Sequence, residues 1–214
     1  MVRRTKEEAQ ETREAILVSA AKVFVENGVA KASLEEIARD AGVTRGAVYW
    51  HFKNKADIFA ALHDQLYMSF SEMILHDLEV DNPHPLEQLR DLTHELFLDL
   101  ERNPQKKRVL TVFFLKCDYS GDMAPFLAYQ QEQRFNSMQL FSQFFKRAIE
   151  KGDLPSESDP CILTRSFVCF ITGVAIEYLR YPELLSLDEH VPHMINGFFK
   201  GLLGCQAAKN DTKA

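Results

Sequence analysis

Helical periodicity runs through this chain from end to end, and no other feature restricts its fold as much. Apolar residues recur at three- and four-residue intervals. No stretch keeps the two-residue alternation of a half-buried strand. Glycine, proline and capping residues cut the pattern into about nine helices. The first, over 5–27, carries the stripe Ile16, Leu17, Ala20 and Phe24 and stops at Gly28. Ser33, with Glu36 three residues on, forms a capping box that opens the second, and Gly42 closes it. Thr44 caps a short third helix ending near Phe52, and Asn54 caps a long fourth reaching about Leu78. Pro83 and Pro85 then break the chain. Further helices are expected over 85–102, from Pro104 to before Gly121, from Asp122 to Gly152, from Asp159 to Tyr181, and from about Asp188 to Cys205. The expected fold class is all-α. Residues 1–53 make an N-terminal three-helix domain, 54–206 a larger helical domain, and 207–214 a frayed tail.

The second and third helices, separated by Ala41, Gly42 and Val43, have the layout of a helix-turn-helix over 33–52. On the wheel of the third helix, Val48 and Phe52 share one face, which must pack on its neighbours. Gly46 and Trp50 lie opposite, flanked by Arg45, Ala47, Tyr49 and His51. A short helix that turns Trp, Tyr, His and Arg to solvent has little reason to do so unless a partner meets it. Gly46 points the same way. A glycine inside a helix costs up to about 1 kcal/mol against alanine, and close approach of a partner would explain it. The competing reading makes Tyr49 and Trp50 partly core and His51 a cap or packing residue.

Charge bears on what that partner is. The net charge of −6 speaks against nucleic acid at first sight, but residues 1–60 carry +1 and the remainder −7. Arg3, Arg4 and Lys6 cluster at the start of the first block and Lys53 and Lys55 near its end, so a basic surface is available locally. The histidines are scattered, and no nucleophile–base arrangement, phosphate loop or metal-ligand spacing is found. No catalytic residue, metal site or cofactor is therefore expected. Cys117, Cys161, Cys169 and Cys205 form no close pairs, and each is expected to act as a small apolar core residue in a reducing compartment. The polar N-terminus and the absence of a run apolar enough to span a bilayer lead to the expectation of a soluble, cytoplasmic protein with no membrane partner.

The segment SLEEIARDAGVTRGAVYWHFKNKADIF (33–59) resembles the DNA-binding signature of the TetR/AcrR family of bacterial repressors. The opening RRTKEEAQETREAIL and the later FFLKCDYSGDM (113–123) are similar to the branch that represses multidrug efflux pumps. The resemblance implies double-stranded operator DNA as partner, read by a homodimer. Thr44 then caps the recognition helix and touches phosphate. Arg45 grips guanine through two hydrogen bonds, and Gly46 and Ala47 admit the backbone to the groove. Tyr49, Trp50 and His51 meet phosphate or sugar. Lys55 and Ser33 hold phosphates at their helix starts, and Arg3 and Arg4 reach the backbone or minor groove.

The resemblance also implies a small hydrophobic or aromatic inducer bound in the larger domain. Thirteen of the sixteen Phe lie after residue 60, enough for a core and for an apolar pocket. The pocket candidates are Phe113, Phe114, Cys117, Phe167, Phe170 and Val174. Glu177 either receives a cationic ligand or is exposed or dimer-paired. In the last helix Gly197 and Gly201, with Phe198 and Leu202, suit a dimer interface, unless that helix is simply internal. Release of a multidrug efflux pump operon is the function these readings converge on; the alternative is a repressor of the same family acting on a catabolic or other non-efflux operon.

Overall fold

A computed structural model describes residues 6–204 of the chain. Among the described residues every regular element is helical: α1 Lys6–Asn27, α2 Leu34–Asp40, α3 Arg45–His51, α4 Lys55–Glu79, α5 Pro85–Arg102, α6 Pro104–Thr111, α7 Ala124–Glu150, α8 Pro160–Arg180 and α9 Val191–Gly204. A π-helical turn, Val112–Lys116, extends α6, and a 3-10 turn, Gly121–Met123, leads into α7. The expectation of a regular sixth helix up to Gly121 is corrected here, because the chain widens at Val112 and leaves helix at Cys117. The seventh helix starts at Ala124, not Asp122, and the ninth at Val191, not Asp188.

The capping residues act as read. Ser33 and Glu36 complete a capping box, and Thr44 Oγ1 accepts from the Ala47 N–H at 3.1 Å. Asn54 Oδ1 accepts from Asp57 N at 2.9 Å, while Asp57 Oδ2 accepts from Lys53 N at 3.0 Å. Asp159 accepts from Cys161 N at 2.8 Å. Gly28 at φ 75° and Gly42 at φ 65° end α1 and α2 in the left-handed region that Cβ-bearing residues avoid.

The chain packs as two compact units. One comprises residues 6–68 and 104–131, the other 69–103 and 132–204. This packing division falls elsewhere than the boundary read at Lys53, because α6 and the turn after it pack on α1. In the first unit Ile16, Leu17 and Phe24 of α1 meet Ile37 and Ala38 of α2, Val48 and Phe52 of α3, and Phe59 and Leu62 of α4 in one buried cluster. Phe59 is set edge-on to Phe113 and Phe126, each at 4.7 Å. A 2.5 Å ion pair, Lys22 to Asp40, joins α1 to the end of α2, and Val29 N donates to Lys116 O at 3.3 Å.

His63 sits in this unit among the rings of Phe113, Phe126 and Tyr129, each 5.4 Å away, and its Nδ1 is buried with no hydrogen-bond partner. Burial pushes its pKa below the usual 6.5, against the opposing pull of Asp64. The folded state thus binds fewer protons here than the unfolded chain, so stability falls as pH drops below about 6.5. His94, also lowered chiefly by burial, adds to the same slope. A His63→Phe variant, followed by thermal melts between pH 7.5 and 5.5, should lose less stability on acidification than the parent. An unchanged pH slope would contradict this assignment.

In the second unit Phe167 is fully buried against Phe141 at 4.9 Å, Phe145 and Phe199 at 6.0 Å, and Phe198 at 6.1 Å. Arg147 donates to Leu78 O at 2.7 Å and closes the end of α4. By length and composition, α8 is apolar enough to cross a bilayer, which corrects the expectation that no segment is. Its apolarity is used inside the unit, where Phe167, Val168, Val174, Tyr178 and Leu179 are buried. Cys161 and Cys169 are exposed on α8 and Cys117 is half-buried, so the expectation that every cysteine sits in the core fails for Cys161 and Cys169. Cys169 falls out of phase with the buried stripe of α8, and Cys161 lies in the exposed first turn of that helix. Cys205 and residues 207–214 lie outside the described residues.

Candidate nucleic-acid interface

Seven residues make up α3, and it is held from one side only. Val48 is fully buried and Phe52, its C-cap, is 4% exposed, both inside the cluster with α1 and α2. The guanidinium of Arg13 on α1 lies over the Phe52 ring, 5.2 Å from its centre. With that side fixed, the helical repeat turns the others out. Trp50 is 73% exposed and Tyr49 46%, which removes the reading of either as core. Thr44, Arg45 and Gly46 are exposed, and Ala47 and His51 half-buried. The His51 ring stands edge-on to Trp50 at 4.5 Å. A Cβ at Gly46 would meet only Thr44 Oγ1, at 3.9 Å. Nothing in the folded chain itself thus requires glycine there.

Arg45 does not float free. One of its terminal nitrogens pairs with the Glu35 carboxylate of α2, the other donates to the Tyr49 hydroxyl at 3.3 Å, and the guanidinium lies 5.3 Å from the Tyr49 ring centre. Sequence reasoning missed this clamp. Its Tyr49 arm has the four-residue spacing of helical neighbours and was legible; its Glu35 arm bridges ten residues across a turn and was not.

Two expected phosphate ligands are already engaged. Lys55 Nζ donates to Val29 O at 2.9 Å and to Ala30 O at 2.8 Å, which leaves one of its three N–H bonds. Ser33 Oγ donates to Glu36 Oε2 at 2.8 Å and accepts from Glu36 N at 3.2 Å. Arg3 and Arg4 lie outside the described residues. An open groove of about 1080 Å³ runs past these groups, lined by Ser33, Glu35, Arg45, Tyr49, Lys53 and Lys55 among others.

The seven pocket candidates divide between the units. Phe113, buried, Phe114, 36% exposed, and Cys117, half-buried, belong to the first. Burial pushes the Cys117 thiol up to about 11. Phe167 and Val174, both buried, Phe170, half-buried, and Glu177 belong to the second. Glu177 is exposed, one of the two alternatives the sequence left open. It continues an outward line on α8 with Ile162, Ser166, Cys169 and Gly173. On α9, Met194, Gly197 and Gly201 are exposed at matching spacing, with Phe198 and Leu202 half-buried. A Cβ at Gly173, Gly197 or Gly201 would meet nothing within 4 Å.

The chain is similar to known proteins along most of its length. Residues 16–62 match the family of bacterial regulatory proteins, tetR family, and residues 84–203 match the C-terminal region of MAATS-type transcriptional repressors. The chain is 37% identical over 204 residues to the HTH-type transcriptional repressor BepR of Brucella suis, spanning 94% of this chain and 96% of that one. Among solved structures it is similar to NalD, the secondary repressor of the MexAB-OprM multidrug efflux pump in Pseudomonas aeruginosa. That likeness has a TM-score of 0.78 and 34% identity, over 91% of this chain and 98% of that one. It is also similar to a complex of triclosan with SmeT, repressor of the Stenotrophomonas maltophilia pump SmeDEF. There the TM-score is 0.80 and the identity 29%, over 90% of this chain and 91% of the other.

Proposed function

Because the chain belongs to the TetR family of bacterial transcriptional repressors, we propose that it acts in the cytoplasm as a homodimer that represses a multidrug efflux pump operon, binding a palindromic operator until a bulky hydrophobic compound releases it. The observation that carries this reading is the outward face of α3, where Trp50 and Tyr49 are exposed beside Arg45 while Val48 and Phe52 hold the helix in place. In the proposed complex Arg45 reads guanine. Thr44, Tyr49, Trp50, His51 and the remaining N–H of Lys55 meet phosphate and sugar, and Gly46 and Ala47 let the backbone approach. Ser33, Arg3 and Arg4 add backbone contacts. One α3 from each subunit enters successive major grooves about 34–36 Å apart.

The ligand half rests on the likeness to efflux repressors, one of them solved with triclosan. Phe167, Phe170 and Val174 are the side chains of the second unit proposed to meet such a compound. A ligand can lower operator occupancy only by the factor with which it prefers the DNA-free form, and operator must weaken the ligand by the same factor. Footprinting on DNA upstream of a neighbouring pump operon should reveal a protected palindrome that triclosan or a related phenol clears. Titrating the same compound with operator present should then raise its dissociation constant by that factor. A failure to protect any segment would overturn the DNA reading, and protection indifferent to every hydrophobic compound would overturn the ligand reading.

A further inference from the structure

On the reading of α3 as the DNA reader, we infer that Glu35 is a specificity-determining residue, which makes Arg45 a reader of guanine edges and a poor ligand for phosphate. Glu35 stands on α2, Arg45 on α3, and their side chains are 65% and 61% exposed, so neither is buried for reasons of packing. The pair is electrically neutral. It is also fixed in direction, since Tyr49 supports the guanidinium from its face and accepts from its second nitrogen. Five N–H bonds radiate from a guanidinium. Two are taken here, one by Glu35 and one by Tyr49, and three remain.

The two features of DNA respond differently to such a pair. Guanine offers N7 and O6, two uncharged acceptors in one plane, which a planar donor group can meet while its far side stays on Glu35. A phosphate draws an arginine by charge, and that charge is already balanced. Swinging Arg45 onto a phosphate would leave the Glu35 carboxylate unpaired beside a polyanion. Glu35 therefore weakens contacts with arbitrary DNA more than contacts with the operator, and binding at arbitrary sites is the competition every sequence-specific repressor faces.

Glu35→Gln removes the charge and keeps the shape. Non-operator affinity at 0.1 M salt should rise by roughly fivefold or more, and the slope of log affinity against log salt should steepen by about 1 to 2, reflecting one new phosphate contact per subunit. Operator affinity should change by less, so the operator to non-operator ratio falls. The same substitution in an Arg45→Ala background should leave the ratio where Arg45→Ala alone puts it, because Glu35 acts through Arg45. Parallel gains on both DNAs that persist without Arg45 would show Glu35 to be an ordinary surface acid and overturn the inference. An unchanged or increased ratio in Glu35→Gln would do the same. Full sequence preference in Arg45→Ala alone would instead remove the reading of α3 on which this rests.

Discussion

An Arg45→Ala variant should fold like the parent and lose its operator. The side chain is exposed and its partners, Glu35 and Tyr49, lie on the surface, so the melting temperature should move by no more than about 2 °C. The effect on DNA is of another size. A two-pronged arginine–guanine contact discriminates by a factor of about ten to a hundred, and a dimer makes it twice, so operator preference should drop by about a hundred to ten-thousand-fold. Affinity for arbitrary DNA should fall by only a few-fold, through the Glu35 carboxylate that the substitution leaves unpaired near the phosphates. Electrophoretic mobility shifts on operator and scrambled duplexes measure both. Retained preference would show that Arg45 does not read bases.

That prediction was within reach of the sequence because it needs only the phase of a short helix. Val48 and Phe52 sit four apart, Thr44 is a good cap, and Gly42 can take the positive φ that the turn demands. Those three facts fix which side chains of α3 face out. The capping box at Ser33 and the Asp159 cap of α8 were legible for the same reason: each is a local contest for unpaired N–H groups, settled within four residues.

What escaped the sequence depends on how elements meet. The Glu35–Arg45 pair needs the angle at which α2 and α3 cross, and the hold of Lys55 on Val29 and Ala30 needs the start of α4 to lie beside the end of α1. Neither leaves a periodic trace. The π-helical turn at Val112 has side chains that suit an α-helix equally well, so its widening could not be read from them. The exposure of Cys161 and Cys169 was misjudged for a related reason. Composition says that free cysteine prefers the interior, whereas the phase of α8 puts Cys169 on the outer side and Cys161 falls in the exposed first turn of the helix.

If the proposed dimer closes through α9, placing leucine at Gly197 and Gly201 together should yield a monomer and abolish operator binding with it. Both glycines are exposed, one helical turn apart on α9, and a Cβ at either meets no atom of the protomer within 4 Å. Glycine in a helix interior costs about 1 kcal/mol against good helix formers, so the subunit has no stake of its own in keeping them. A face built from glycine lets a second helix come close, and leucines there hold it away. The variant should elute at the 24.6 kDa of one chain instead of twice that, with its helical circular dichroism intact. Operator affinity should fall by about a hundredfold or more, since the second recognition helix no longer benefits from the first being bound. Weak binding to arbitrary DNA should survive, as α3 is untouched. Gly197→Ala, which adds a single methyl, should leave a dimer whose dissociation constant is merely raised. This graded pair separates a closed interface from a failure to fold. Leucine at both positions with an undiminished dimer would move the interface elsewhere on the protein.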